Sequence, residues 1–518
     1  MNGLGGITTR PAKSATTVLS RARIALPARP SYVRAQSTTA AAPRTSELQQ
    51  KYREAKPRNV LISDTGQPGE KERVVILGSG WAGYGLAQTI KPSKASRVLI
   101  SPRSHFVFTP LLASTTVGTL EFRATVEPVR RLGLDEFHQA WASDIDFANK
   151  TIRLEANTMS AAAGSKTSPL RGPEKGPEFD ISYDKLVIAV GCYSQTFGTE
   201  GVAQYASFLR DVGDARAIRL KVLTAFEKAD LPSTTDEERG ELLNFAIVGG
   251  GPTGIEFAAE LHDLVHEDLA KLYPSLMKFV QVTVYDIAPK VLPMFDQTLA
   301  SYAMDLFHRQ GIQVKTEHSL QSIRRQGDIL KLRIKGHDAE VGAGLLVWST
   351  GLMQNPLVAK LLEQDIPGLG RIVKDARTGG IMTDGHMRVL TGPEAGGDGP
   401  RKPLPDVYAI GDCTVQEEHR LPATAQVASQ QATWLGKRIN KGDMDAADEF
   451  KFRNWGAMAY LGSKRAIHQH GADGLKGWPA WILWRTAYLT KSMSWRNKLK
   501  IPFQWLITAL FGRDISRF

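Results

Sequence analysis

The stretch "VVILGSGWAGYGLAQTI", residues Val74–Ile90, decides the fold of this 518-residue chain. Its apolar first part predicts a buried parallel strand, its glycines a tight loop, and its last part a helix. A near copy, "FAIVGGGPTGIEFAAEL", occupies Phe245–Leu261 with the same order of elements. A second strand is predicted after each copy, at "SRVLIS" (Ser96–Ser101) and "VQVTVYD" (Val280–Asp286). We therefore expect an α/β chain with two Rossmann-like nucleotide-binding units, the second inserted into the first.

Both loops have the spacing GxGxxG, in which each glycine has its own task. The first allows a tight turn, the second lets a pyrophosphate touch the backbone, and the third lets the helix pack on the strand. The helix N-terminus then offers free N–H groups to the phosphates. One such loop is compatible with an ordinary glycine turn, whereas two in matching context predict two dinucleotide sites. The glycines are Gly78, Gly80 and Gly83 in the first loop and Gly249, Gly251 and Gly254 in the second.

The second unit carries an acid where a ribose is expected. Asp286 ends the strand after the second loop, a position from which a carboxylate accepts a hydrogen bond from the ribose 2′-hydroxyl. Because an anion there repels a 2′-phosphate, the sequence favours NADH over NADPH. The alternative is a solvated carboxylate at a strand end.

The first unit lacks that acid and has Ser101 and Arg103 in its place. Arg103 as a ligand of a 2′-phosphate would indicate NADP, whereas Ser101 with backbone groups would suit the adenosine of a flavin. The later segment "LPDVYAIGDCTV" (Leu404–Val415) favours the flavin. In flavoproteins with two dinucleotide units, a returning strand delivers an aspartate, here Asp412, to the ribitol and pyrophosphate. A helix N-cap is the alternative role for Asp412.

The first 45 residues have the composition of a mitochondrial transit peptide. Residues 1–46 contain seven Lys or Arg and no Asp or Glu, within a chain of formal charge +12. The basic residues are spaced singly among Ser, Thr and Ala, which favours targeting over a tail that binds nucleic acid. The chain has no run of about 18 apolar residues, so we expect no membrane-spanning helix.

The segment Trp478–Phe518 is rich in tryptophan and in basic residues. Aromatic side chains at the level of the lipid headgroups, with basic residues beside anionic lipid, are typical of a helix that lies in the membrane interface. The alternative is a pair of helices at a dimer interface. The two predicted apolar faces consist of Trp481, Trp484 and Tyr488, and of Phe503, Leu506 and Leu510.

Several stretches from about residue 73 onward carry a family resemblance, together with the aromatic and basic C-terminal segment. They are "GSGWAG", "ISPRSHFVFTPLLASTTVGTLEFR", "IVGGGPTGIEFAAEL", "AIGDC", "LPATAQVASQQ" and "FRNWGAMAYLGSKRAI". On these the chain resembles the type II (alternative, rotenone-insensitive) mitochondrial NADH:ubiquinone oxidoreductases, in particular the fungal internal type. "FTPLL" and "AQVASQ" separate this family from generic flavin reductases.

The resemblance implies FAD in the first unit, NADH in the second, ubiquinone as the electron acceptor and no proton pumping. It also implies a homodimer attached peripherally to the mitochondrial inner membrane. We favour the matrix side, because residues 35–72 contain no apolar stop-transfer stretch. No metal and no nucleic-acid partner are expected.

Site residues are carried over from the family position by position. FAD contacts fall on Gly78, Gly80, Trp81, Gly83, Ser101, Arg103, Thr109, Asp412 and Ala425. NADH contacts fall on Gly249, Gly251, Thr253, Gly254, Asp286 and Gly351. The expected catalytic residues are Glu256, near the nicotinamide or its ribose, and Gln426; the quinone residues are Gln426, Ser429 and Tyr488. Ser101 and Ser429 depart from the family pattern, which often has a ribose carboxylate at the first position and in some relatives a histidine at the second.

The expected organisation has six parts. They are the transit peptide (1–45), a linker (46–72), the first part of the FAD unit (73–240), the NADH unit (241–355), the second part of the FAD unit (356–450) and a membrane-anchoring or dimerisation region (451–518).

Other classes of flavoprotein fit the sequence less well. A flavin disulfide reductase needs a cysteine pair beside the flavin, and residues 97–120 contain none. Cys192 and Cys413, the two cysteines of the chain, have no metal-ligand spacing. A ferredoxin reductase would not need the aromatic C-terminal segment. An apoptosis-inducing-factor-like protein, which acts through interactions, is the alternative to a quinone reductase.

Overall fold

The computed structural model of the chain describes residues 71–157, 176–392 and 400–517. The expected transit peptide and almost all of the expected linker lie outside these ranges. The described chain contains two large sheets, several small antiparallel sheets and flanking helices.

The first glycine loop belongs to a ten-stranded sheet with a parallel centre. Its strand Arg73–Leu77 lies between Ser96–Ile100 and Lys185–Ile188, with all three parallel. The returning strand Lys402–Ala409 pairs in parallel with Lys185–Ile188. Arg73–Leu77 is buried throughout, as expected for a strand covered on both faces. The other strands of this sheet are Glu136–His138, Asp365–Ile366, Gly370–Ile372, Ile381–Thr383, Arg388–Gly392 and Thr414–Gln416.

The second glycine loop belongs to a separate sheet of five parallel strands. All five fall between two strands of the first sheet in the sequence, so the predicted insertion of one unit into the other is confirmed. The chain leaves and re-enters the first unit through Cys192–Ser194 and Leu352–Gln354, which pair antiparallel. The five strands, in spatial order, are Ser207–Phe208, Leu345–Trp348, Asn244–Val248, Gln281–Tyr285 and Gln313–Lys315.

The structure differs from the expected boundary at residue 240. The strand Ser207–Phe208 pairs with Leu345–Trp348, and the helix Val212–Ala229 packs on both of these strands. The sheet that carries the second glycine loop therefore includes Ser207–Phe208, which precede the expected boundary. A two-residue strand has no periodic pattern, so the sequence marks only the longer strand Asn244–Val248.

The helices lie on the faces of the two sheets and at the C-terminal end. Small antiparallel sheets and ribbons complete the fold. The helices are Trp81–Thr89, Leu112–Thr116, Val202–Tyr205, Val212–Ala229, Asp236–Leu242, Pro252–Leu264, Ala270–Leu272, Gln297–Arg309, Pro356–Glu363, Ala425–Lys441, Trp478–Lys491 and Trp495–Phe511, with a π-helical turn at Val265–Leu269. The remaining strands are His105–Val107, Val126–Pro128, Ala140–Asp146, Thr151–Ala156, Glu178–Ser182, Leu320–Gln326, Ile329–Ile334, Val341–Ala343, Ala457–Tyr460, Ala466–His470 and Asp473–Gly477.

Four helices recur below and are named by their place. The first loop helix is Trp81–Thr89 and the second loop helix is Pro252–Leu264. The Trp478 helix is Trp478–Lys491, and the Trp495 helix is Trp495–Phe511. Within the described ranges, none of the helices combines the length and the apolar character that crossing a membrane requires.

Candidate functional site

The first glycine loop forms a cradle open to a phosphate. Gly78 adopts a φ of +110°, and a Cβ on Gly83 would collide with the carbonyl oxygen of Gly78, so neither position accepts a side chain without strain. Gly80 precedes the first loop helix, and a Cβ there would meet nothing within 4 Å. The exposed N–H groups of that helix start are thus accessible to a pyrophosphate.

The side chains around the first loop favour a flavin over NADP. Arg103 Nε lies 2.8 Å from Asp211 Oδ2, so its charge already has a partner and is not free for a 2′-phosphate. Ser101 directly follows the next strand, Ser96–Ile100, and its Oγ lies 2.8 Å from Ser79 Oγ. Trp81 Nε1 donates to Thr109 Oγ1 at 3.0 Å, which ties the loop helix to the "FTPLL" segment.

Asp412 lies where the returning strand approaches the first loop. Gly411, with a φ of +80°, donates its N–H to Gln431 Oε1 at 2.8 Å. A small cleft is lined by Asp412 together with Ala423, next to the helix that begins at Ala425. The N-cap of that helix is Thr424, which rules out the alternative role of Asp412 as its cap. Burial raises the pKa of Asp412, while the nearby Arg210 opposes that shift.

The second glycine loop repeats the geometry of the first. Gly249 adopts a φ of +116°, Gly254 faces the carbonyl oxygen of Gly249, and Gly251 at the start of the second loop helix has open space where a Cβ would be. Two glycine loops with this backbone fit two dinucleotides. Thr253 lies in the first turn of that helix, and Gly351, with a φ of +75°, lies just after the strand that pairs with the loop strand.

Asp286 reaches the second loop itself. Its Oδ2 accepts a hydrogen bond from Gly250 N, and its Oδ1 accepts one from Ala288 N at 2.7 Å. A carboxylate oxygen accepts more than one hydrogen bond, so these contacts leave capacity for a ribose hydroxyl. The alternative of a merely solvated carboxylate does not describe this arrangement.

Glu256 faces the C-terminal region, which the sequence did not predict. Its Oε1 accepts hydrogen bonds from Tyr460 N at 3.1 Å and from Trp484 Nε1 at 3.2 Å. Burial raises the pKa of Glu256 to about 8, although both hydrogen bonds act in the opposite direction. A buried carboxyl that keeps its proton near neutral pH can act as a general acid.

Gln426 and Ser429 lie on the helix that starts at Ala425. Gln426 Oε1 accepts from Trp455 N at 2.8 Å, and its Nε2 donates to Gly456 O at 3.3 Å. Ser429 Oγ donates to Gln426 O at 3.2 Å. The Gln426 amide therefore holds the segment that leads directly into the strand Ala457–Tyr460, whose last residue donates to Glu256.

Tyr488 is half-buried and packs against Trp484, which donates to Glu256. Its ring centroid is 4.9 Å from that of Trp484 and 6.2 Å from that of Phe108. Burial raises the pKa of the Tyr488 phenol, and the Glu256 charge adds to the shift. Gln426, Glu256 and Tyr488 thus belong to one neighbourhood that connects both nucleotide units with the C-terminal region.

The predicted lipid-facing side of the Trp478 helix is wrong. Trp484 is 3% exposed and Tyr488 packs on Phe108, so this face is covered by the protein. The apolar face predicted for the Trp495 helix is exposed: Phe503 by 62%, Leu506 by 56% and Leu510 by 67%.

A buried polar network near Glu256 was missed by the sequence analysis. It contains Glu260, one helical turn after Glu256, and the distant Arg513. The spacing of the two glutamates in "GIEFAAEL" signals a shared helix face. No comparable signal connects Arg513 with either glutamate, because the contact is made only in the folded chain.

Comparison with known proteins agrees with this geometry. The profile described as pyridine nucleotide-disulphide oxidoreductase matches residues 72–432, and that of the NDH2 C-terminal domain matches residues 455–514. The chain is 39% identical to a probable NADH dehydrogenase of Dictyostelium discoideum, with 88% of this chain and 93% of that protein covered. It is 36% identical to a mitochondrial internal alternative NAD(P)H-ubiquinone oxidoreductase A1 of Solanum tuberosum, with 89% and 90% covered.

Among solved structures, the chain is similar to NDH2 of Plasmodium falciparum in complex with NADH. The TM-score is 0.75 at 24% sequence identity, with 86% of this chain and all of that chain covered. A sulfide:quinone oxidoreductase of Aquifex aeolicus has a TM-score of 0.59 at 16% identity, with 86% of this chain and 96% of that chain covered. Both likenesses concern the fold alone.

Proposed function

The chain belongs to the pyridine nucleotide-disulphide oxidoreductases and, within them, to the alternative NADH:ubiquinone oxidoreductases, and we propose which of its residues bind each cofactor and which act on the quinone. The chain is an enzyme that carries two electrons from NADH through FAD to ubiquinone without pumping protons. The apoptosis-inducing-factor-like alternative is not favoured.

One observation carries the proposal. Glu256 belongs to the helix of the second glycine loop, and its carboxyl meets Trp484 and Tyr460 of the C-terminal region. The residues expected at the quinone, Tyr488 and Gln426, border the same place. This contact supports a role in quinone reduction for a titratable group of the second unit.

The first cradle would hold FAD. Gly78, Gly80 and Gly83 shape the loop for the pyrophosphate, and Asp412 approaches it from the returning strand. Ser101, Arg103, Trp81, Thr109 and Ala425 surround the same region, with Arg103 neutralised by Asp211. When bound, FAD accepts a hydride equivalent from NADH and passes two electrons on to the quinone.

The second cradle would hold NADH. Gly249, Gly251 and Gly254 leave room for its pyrophosphate, and Thr253 and Gly351 border the loop. Asp286 keeps a negative charge against the loop backbone, which disfavours the 2′-phosphate of NADPH.

We assign Glu256 as a proton donor on the quinone side. Ubiquinone takes up two electrons and two protons, whereas the hydride of NADH brings two electrons and one proton. The second proton must come from elsewhere, and Glu256 holds one in its buried carboxyl. Its Oε1 is occupied by two N–H donors, while Oε2 has no hydrogen bond among the described residues. Solvent then returns a proton to Glu256 before the next turnover.

Gln426 and Ser429 would orient the quinone head rather than supply protons. The Gln426 amide is held at both ends by Trp455 and Gly456, so its position is fixed. Tyr488 would line the path of the quinone, because its ring packs edge to face with that of Trp484, next to Glu256.

The exposed face of the Trp495 helix would attach the enzyme to a membrane. Phe503, Leu506 and Leu510 form a continuous apolar stripe beside a segment that carries Arg496, Lys498 and Lys500. The plant relative is named as mitochondrial, and we place this chain peripherally on the inner mitochondrial membrane, on the matrix side. A second copy of the chain is the other occupant that this face fits, and a homodimer is part of the proposal.

Anaerobic mixing tests the proposal. NADH should bleach the flavin absorption of the purified enzyme far faster than NADPH, and a short-chain ubiquinone should restore it. Glu256→Gln should leave the bleaching by NADH intact and slow the restoration by about 10²-fold or more, the usual contribution of a general acid. Equal restoration rates in both proteins would contradict the role of Glu256. A colourless protein would contradict the flavin site.

A further inference from the structure

Glu260 follows Glu256 on the second loop helix, and the hydrogen bonds of the two carboxyl groups differ. The two residues are one helical turn apart and share a face. Among the described residues, Glu256 accepts hydrogen bonds only at Oε1 and has no cation beside it. Glu260 is bonded at both oxygens, by Ser114 at Oε1 and by Thr119 at Oε2 at 3.0 Å.

Arg513 is connected to Glu260 through Thr119. Its Nε donates to Thr119 Oγ1 at 3.0 Å. The Thr119 hydroxyl in turn donates its single proton to Glu260 Oε2 at 3.0 Å. Glu260 Oε2 is therefore an acceptor in this arrangement, which suits the ionised carboxylate.

Arg513 itself is held firmly although it lies in the C-terminal tail. Its side chain is 6% exposed, and its Nη1 lies 2.7 Å from both Glu267 Oε2 and Asp268 Oδ2. Its backbone N–H also donates to Asp268 Oδ1 at 3.2 Å. These contacts hold the guanidinium next to Thr119.

The charges that face the two glutamates are few. Glu256 is faced by the Glu260 carboxylate and by the neutral phenol of Tyr488. Burial raises the pKa of Glu260, the charge of Asp263 adds to that shift, and Arg513 with the two hydroxyl donors lowers it. The groups that face Glu260 are Arg513, Arg485, Asp263, Tyr460 and Glu256.

We propose that Arg513 is a positioning residue for quinone reduction: through Thr119 it favours the ionised form of Glu260, and the Glu260 charge adds to burial in favouring the protonated form of Glu256 for transfer to the quinone. The proposal rests on the proton-donating role given to Glu256 above. A negative charge one turn away disfavours a second negative charge on the same buried face. The tail that follows the Trp495 helix is thus connected with the chemistry near the start of the second loop helix.

The pH profile of kcat/KM for a short-chain ubiquinone tests this coupling. The alkaline limb reports loss of the donor's proton. In Arg513→Gln, Glu260 takes up a proton, Glu256 loses its negative neighbour, and the limb should move to lower pH by about one unit. Glu260→Gln should produce the same shift with Arg513 intact. The double variant should shift no further than either single variant, because both act through one charge.

Three controls separate the possible failures. Arg517→Gln removes another tail arginine, whose Nη2 lies 3.8 Å from Glu227 at the surface, and should leave the limb in place. Arg513→Lys should restore part of the shift because it keeps the charge. Flavin bleaching by NADH should be unchanged in all these variants, whereas a general structural defect would lower activity at every pH.

The results distinguish the role proposed for Arg513 from the role proposed for Glu256. An unshifted limb in Glu260→Gln, or additive shifts in the double variant, overturns the role of Arg513. A Glu256→Gln enzyme with the alkaline limb of the parent overturns the role of Glu256 as well. If Arg513→Gln fails to fold, Glu260→Gln alone still gives the answer.

Discussion

The Trp478 helix and the Trp495 helix have similar aromatic, amphipathic sequences and opposite surroundings. The Trp478 helix turns Trp484 and Tyr488 inward, against Tyr460 and Phe108. The Trp495 helix buries Asn497, Ile501 and Trp505, and exposes Phe503, Leu506 and Leu510. An apolar face on a helix therefore indicates that the face is covered, but it does not identify what covers it.

Hydrogen bonding distinguishes the two helices better than hydrophobicity does. The indole of Trp484 has a partner inside the protein, Glu256 Oε1, and a buried indole N–H needs such a partner. The exposed stripe of the Trp495 helix consists of Phe and Leu side chains, which have no polar group to satisfy. Its inward side is tied by Asn497, whose Nδ2 donates to Glu127 Oε1 at 2.8 Å.

The largest contrast should come from removing one tryptophan from each helix. Trp484→Ala empties a buried site and removes one of the two N–H donors to Glu256, so we expect a loss of about 3–5 kcal/mol in stability. Trp495→Ala, at a residue that is 80% exposed, should change stability by less than about 0.5 kcal/mol. The apparent Tm of the two holoenzymes at equal flavin content measures the difference. Similar losses would mean that the two helices are packed alike.

A charge on the exposed stripe should weaken membrane binding without changing the stability of the protein. Leu506→Glu should leave the Tm of the enzyme in solution unchanged, because the side chain touches little of the protein. Binding to vesicles of phosphatidylcholine and phosphatidylglycerol should weaken by at least about tenfold, since a Leu side chain contributes about 1.5–3 kcal/mol when it is buried. Flotation with the vesicles measures this affinity.

A control variant and one further result decide the interpretation of the stripe. Leu475→Glu, on the exposed strand before the Trp478 helix, makes the same change of residue and charge away from the stripe. Unchanged vesicle binding together with conversion of a dimer to a monomer would assign the stripe to a second copy of the chain. Sedimentation of both variants in detergent distinguishes these cases.

The fold was predictable because its signals are local and repeated. Each glycine loop lies between a buried apolar strand and a helix start, and the structure confirms both units and the insertion. The two-residue strand Ser207–Phe208 was not predictable, because pairing with Leu345–Trp348 alone makes it a strand. Its presence moves the start of the second unit towards the N-terminus.

The site was predictable only in part, for a related reason. The backbone cradles follow from glycine spacing, and Asp412 follows from its place at the end of a strand. The direction of the Glu256 carboxyl depends on Trp484, which lies 228 residues further along the chain. Glu260 and Arg513 likewise become partners only after the C-terminal tail has packed. Contacts of this kind leave no periodic trace in a single sequence.

A smaller effect would test whether Trp484 does more than fill space. Trp484→Phe keeps an aromatic ring but removes the N–H that stabilises the ionised form of Glu256. The pKa of Glu256 should then rise above its value of about 8, and the alkaline limb of quinone reduction should move up by about half a unit. The direction is opposite to that expected for Arg513→Gln, in which Glu260 takes up a proton and Glu256 loses its negative neighbour. Trp495→Phe, on the other helix, is the matched control and should leave the limb unmoved; a shift there, or a downward shift in Trp484→Phe, would show that the limb does not report the carboxyl of Glu256.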